Sequence, residues 1–121
     1  MYRRSLAILE RALGPEHVVV ASSLKNLALL FDVQGRYVDA EPLLQRSLAI
    51  QEKALGPDHP YVAASLSSLA LLHRNQGRYA DAESLYQRSL AIVEKSLGPD
   101  HPDVATSLNN LAALYDNQGR F

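Results

Sequence analysis

The strongest constraint on this chain is that it repeats itself every 42 residues. The segment "LGPDHP" at 55–60 returns at 97–102, and a near copy, "LGPEHV", stands at 13–18. Aligned without gaps, residues 13–54 and 55–96 are identical at 28 of 42 positions, "QGRY" and "RSLAI" among them. A third copy starts at Leu97 and runs to "QGRF" at 118–121, while "RRSLAILERA" at 3–12 matches the tail of a copy. The expected organisation is therefore one domain over 1–121: a partial repeat at 1–12, full repeats at 13–54 and 55–96, and a partial repeat at 97–121. Units this short cannot bury a core alone, so each must share its apolar surface with its neighbours in the chain.

Within one period the apolar residues keep helical spacing. Val20, Leu24, Leu27, Ala28 and Phe31 recur at intervals of three and four, which puts them on one face of a first helix, helix A. Gly35, Gly77 and Gly119 then stand where a helix C-terminus takes the left-handed conformation. A second helix, helix B, is expected at about 38–54 and 80–96, with Tyr37, Ala40, Leu44, Ser47, Leu48 and Leu55 facing inward. In "LGPDHP" the glycine ends one helix, the first proline blocks its continuation and the second begins the next, with Asp58 or His59 as cap. Each period is thus a pair of antiparallel helices, and the fold class is all-α, an α-solenoid of such pairs.

Composition narrows the functions. Twelve basic and thirteen acidic residues leave a net charge of −1, which lacks the basic footprint that a phosphate backbone demands, so no nucleic acid partner is expected. Apolar runs such as "LALLF" are far shorter than a bilayer span, so no membrane association is expected either. The absence of cysteine excludes disulfides and thiolate metal sites and suits a reducing, cytoplasmic setting. His17, His59 and His101 recur at one place in successive connectors, too far apart to share a metal ion, and read as structural. Asp, His and Ser also recur with the period, whereas nucleophilic catalysis needs one built constellation. Neither an enzyme, a metal site nor a cofactor is expected. Asp39 and Asp81 fall in a first helical turn, where they complement the helix dipole. Arg36, Arg78 and Arg120 beside the turn glycines are expected to be solvated or paired, and His73 to pack as Phe31 and Tyr115 do.

The series Leu24, Leu27, Ala28, Phe31, Gly35, Tyr37, Ala40, Leu44 and Leu48 resembles the tetratricopeptide repeat, as does its copy from Leu66 to Leu90. A 42-residue period with "LGPDHP" and "NNLA" resembles the kinesin-light-chain-like type of that repeat. The resemblance implies a tetratricopeptide superhelix whose A helices line a concave surface, and a protein-interaction scaffold that binds a peptide segment of a partner there. It departs from the common pattern at Ser47 and Ser89, where alanine is customary.

The positions that break the repeat while the core stays constant lie on the outward stripe of helix A. There the candidate peptide-binding residues are Lys25, Asn26 and Leu29 in the first full copy, Ser67, Leu71 and Arg74 in the second, and Asn109 and Asn110 in the third. Amides can bond a peptide backbone and leucines offer apolar contact. A second function class is a structural spacer or self-assembling segment. In it the helix of Leu6, Ile8 and Leu9 and the surface of Leu108, Leu111 and Leu114 meet head to tail, or as a swapped dimer, in a homo-oligomer.

Overall fold

A computed structural model describes residues 2–14, 17–117 and 119. Pro15 of the first connector, and Gln118, Arg120 and Phe121 of the third copy, lie outside the described residues. Among those described there are six helices and no strand: α1 (Tyr2–Leu13), α2 (Val18–Val33), α3 (Tyr37–Leu55), α4 (Pro60–Asn75), α5 (Tyr79–Leu97) and α6 (Pro102–Asn117). Helices α2, α4 and α6 are the A helices of the repeat; α1, α3 and α5 are the B helices. Each full B helix is a residue longer at either end than expected. The Arg36 carbonyl already accepts from Ala40 N–H at 3.1 Å, and that of Arg78 from Ala82 N–H at 3.1 Å, so Tyr37 and Tyr79 are inside the first turn.

The turn between A and B is a Schellman motif in both full copies. Arg78 N–H donates to His73 O at 2.8 Å and Gly77 N–H to Arg74 O at 3.0 Å, with Gly77 at φ +78°. In the first copy Arg36 N–H reaches Phe31 O at 2.7 Å. A residue with a Cβ resists that positive φ, which is why glycine stands there. The arginines beside these turns are paired: Arg36 with Asp39 at 2.9 Å and Arg78 with Asp81 at 3.1 Å.

The repeated connector histidines are helix caps. His17, His59 and His101 accept at Nδ1 from the backbone N–H groups of Val19, Tyr61 and Asp103, at 3.1, 3.0 and 3.1 Å. Each satisfies an amide that the first helical turn leaves without a partner. Asp58, the other candidate cap, instead accepts from Lys95 Nζ at 2.8 Å, and that bond and charge raise the Lys95 pKa.

The chain divides into two compact units, Met1–Pro57 and Asp58–Phe121. In the first, α2 packs against both α1 and α3. Its core holds Val20, Ala21, Leu24 and Ile50, with Leu6, Leu9 and Leu43 against them. Arg36 lies over the ring of buried Phe31 at 4.4 Å, a cation–π contact. In the second unit α5 packs against both α4 and α6. Ala70, Ala82, Tyr86, Leu111 and Leu114 form a core cluster with Tyr79, Leu85, Leu90 and Tyr115 around it. His73 is buried at 4% exposure and packs as expected.

One part of the third-copy expectation needs correcting. Leu111 and Leu114, read from the sequence as open to a partner, are 7% and 0% exposed, because α5 covers them through Ala82 and Tyr86. Leu108, read as part of the same open surface, is 51% exposed. Its equivalents Leu24 and Leu66 are both 0% exposed. Each of those belongs to an A helix packed on the B helix that follows it, and no described helix follows α6.

Candidate binding cleft

In the second unit a cleft of about 290 Å³ opens between α4 and α6. One wall is Pro60, Ala63, Ala64 and Ser67 of α4, one helical face at successive turns. The other is Asp103, Thr106, Ser107 and Asn110 of α6, and Ser89 and Val93 of α5 complete the lining. Small side chains at Ala63, Ala64, Ser67 and Ser107 leave the space that larger ones would fill.

Ser89, the departure from the customary alanine, organises the lining. Its hydroxyl donates to Ala63 O at 2.9 Å in the buried interior, and Ser67 Oγ lies 2.8 Å from Ser89 Oγ. The first unit repeats half of this device: Ser47 Oγ donates to Ala21 O at 2.8 Å. There the place of Ser67 is taken by Lys25, which lacks an oxygen to continue the chain.

The sequence-derived candidates divide. Ser67 and Asn110 line the cleft together; Leu71, Arg74 and Asn109, in the same unit, do not. Arg74 sits nearer the other end of α4, where its charge partly offsets the rise that burial imposes on the Tyr86 phenol pKa. In the first unit Asn26 and Leu29 are exposed on α2, while Lys25 is partly buried and its ammonium pKa is lowered by desolvation. The sequence reading missed Pro60, Ala63, Ser89, Val93, Asp103 and Ser107. Ala64 and Thr106 were visible as parts of the variable stripe but not singled out. The signal that could have found Asp103 is its break with the repeat, since Val19 and Tyr61 hold that place in the other copies.

A second cleft, of about 340 Å³, lies in the first unit between α1 and α3, with Leu27 and Phe31 of α2 at its base and Arg3, Glu10 and Asp39 around it. It belongs to the B-helix side. Arg46 and Glu10 close part of the same side with a 2.9 Å ion pair. Among the described residues no group of three or more His, Cys, Asp or Glu side chains is placed to hold a metal ion, and no helix is long and apolar enough to cross a membrane.

The family model described as tetratricopeptide repeat matches residues 29–92 and again 62–121. Among solved structures, BtubC (BKLC) from P. vanneervenii superposes with a TM-score of 0.89 at 26% identity, over 99% of this chain and 48% of that one. A Podosopora anserina protein, described as a kinesin light chain with nearly identical TPR-like repeats, superposes with a TM-score of 0.86 at 31% identity, over 98% of this chain and 56% of that one. A single-substitution variant of the latter gives 0.85 at the same identity. The chain thus spans about half the length of the solved structures it matches. No curated protein matches it at a significant level.

Proposed function

Because the chain belongs to the tetratricopeptide repeat family, of the kinesin-light-chain-like kind, we propose that it is a peptide-binding module whose A helices receive an extended segment of a partner protein. Members of this family are generally protein-interaction scaffolds and typically not enzymes. The observation that carries the reading to this chain is the cleft between α4 and α6, walled by successive turns of two A helices and lined with small and polar side chains. Its volume is at the low end for a ligand site, the size of one side chain with its flanking backbone rather than of a cofactor. Leu71, Arg74 and Asn109 of the same unit are the positions where contacts outside the cleft would add selectivity, and Lys25, Asn26 and Leu29 form the corresponding stripe on α2 of the first unit.

No large aromatic side chain lines the cleft, so binding is expected to be weak, micromolar or poorer, about −8 kcal/mol at best. The test is a display selection of short peptides on the folded chain, followed by Ala64→Leu, which fills the cleft from its wall. Selected peptides should lose binding to that variant while its helical content and melting stay unchanged. Peptides that bind it as well as the parent chain would reject the cleft as the site.

The second reading, self-assembly through the terminal helices, is favoured by Ile8 and Leu108, 57% and 51% exposed. Sedimentation separates the two: concentration-dependent association abolished by Leu108→Glu supports assembly, and a monomer across the concentration range removes it.

A further inference from the structure

The hydroxyl protons around the cleft are all committed elsewhere, and this fixes its chemistry. A serine hydroxyl has one proton. Ser89 gives its own to Ala63 O, at 2.9 Å, and a carbonyl cannot return one. The 2.8 Å contact with Ser67 must therefore use the proton of Ser67. Thr106 donates to Pro102 O at 3.3 Å, and Ser107 to Asp103 O at 3.0 Å. Ser67, Thr106 and Ser107 thus meet a ligand with lone pairs only. Asp103 adds a carboxylate whose side chain is 63% exposed, with His101 Nδ1 3.8 Å from its Oδ2 and already accepting from the Asp103 backbone N–H at 3.1 Å. Asn110 supplies the one side-chain amide, and no Lys, Arg or His is among the lining residues.

We propose that this cleft selects a peptide segment by a Lys or Arg side chain, whose N–H donors meet the hydroxyl lone pairs while its charge meets Asp103. The inference rests on the peptide-binding reading and names the residue that the site reads. Acceptors without donors reward a group made of donors only, and ammonium and guanidinium are the side chains of that kind. The aliphatic stem of either would lie along Ala63, Ala64 and Val93. An acidic side chain would meet lone pairs and a like charge, with only Asn110 to donate to it.

The experiment uses acetylated, amidated hexapeptides of alanine and serine that differ at one central residue: Arg, Lys, citrulline, norleucine or Glu. Binding is read from amide and side-chain NMR shifts of Ser67, Thr106 and Asn110. The Arg and Lys peptides should shift these signals, and norleucine should bind about tenfold or more weakly, having lost every donor. Citrulline and the Asp103→Asn variant should each weaken binding about two- to fivefold, the range of a partly exposed charge pair, and Asp103→Glu should restore it. Equal or better binding of the Glu peptide, or Arg binding unchanged in Asp103→Asn, would overturn the inference while leaving a peptide site in place. An all-alanine peptide with a free amino terminus that binds as well as the Arg peptide would overturn it too, assigning the cleft to chain termini. If no peptide of any charge moves the cleft signals, both this inference and the peptide-binding reading fall.

Discussion

Lys25 and Ser67 occupy the same place in successive copies, and the difference between them shows how one residue can set local energetics without changing the fold. Ser67 completes a hydroxyl chain to Ser89, whereas Lys25 brings a charge into a partly buried place. Desolvation lowers its pKa, so the folded state binds that proton less readily than the unfolded chain does. A group of this kind costs stability while it is charged in the folded state, and the cost is relieved as pH rises from the lowered folded value toward the ordinary 10.5. Lys25→Met should accordingly raise the denaturation midpoint at pH 7, and the advantage over the parent chain should shrink as pH rises toward 10.5; a constant or growing advantage would contradict the burial assigned to Lys25. The sequence showed Lys25 only as a variable outward position, because periodicity reports which face a residue is on and not how much its neighbours cover. His59 was equally ambiguous beside Asp58. Both can cap a helix; the histidine does so in all three connectors, while Asp58 meets Lys95, 37 residues away.

At the scale of elements the repeat itself supplies the controls. Helix α3 carries Pro42 in its interior, where α5 has Ser84, and the proline removes one main-chain bond toward exposed Val38. Pro42→Ser should stabilise the chain by roughly 1–3 kcal/mol in chemical denaturation, since an interior proline costs up to about 3 kcal/mol. Leu66 of α4 is 0% exposed, and Leu66→Ala should cost about 2–5 kcal/mol. Asn109→Ala, on the exposed side of α6, should stay within about 0.5 kcal/mol. Equal losses for these two would mean the faces are wrongly assigned. Helix existence, order and core faces were legible from the sequence because the 3.6-residue spacing, the turn glycines and the connector prolines agree at every copy. The cleft was less legible for a geometric reason. Its α4 wall uses Ala64 and Ser67, whose repeat equivalents on α6 are Thr106 and Asn109; Thr106 is in the α6 wall, but Asn109 is replaced there by Asp103, Ser107 and Asn110, equivalent to Tyr61, Ser65 and Ser68. Two parallel-running copies of a helix meet across a cleft with opposite flanks, so a reading that carries one register from copy to copy finds both members of only some pairs.

In the whole molecule, a family architecture that covers most of the chain carries a candidate site built from a small part of it. The family explains the helix pairs, the Schellman turns and the connector prolines, all of which serve packing. It does not explain Asp103 or the hydroxyls of Ser67 and Thr106, whose protons are turned to Ser89 and to the Pro102 carbonyl and whose lone pairs are left beside an open cleft. Side chains of that kind are the ones that a ligand would use. The direct measurement is backbone and side-chain NMR mapping of the full chain during titration with its best display-selected peptide. Shift changes should concentrate on Ala63, Ala64 and Ser67, on Thr106, Ser107 and Asn110, and on Ser89 and Val93 beneath them. Changes confined to exposed Gln45 and Gln87 on the B helices, with the cleft signals unmoved, would contradict it.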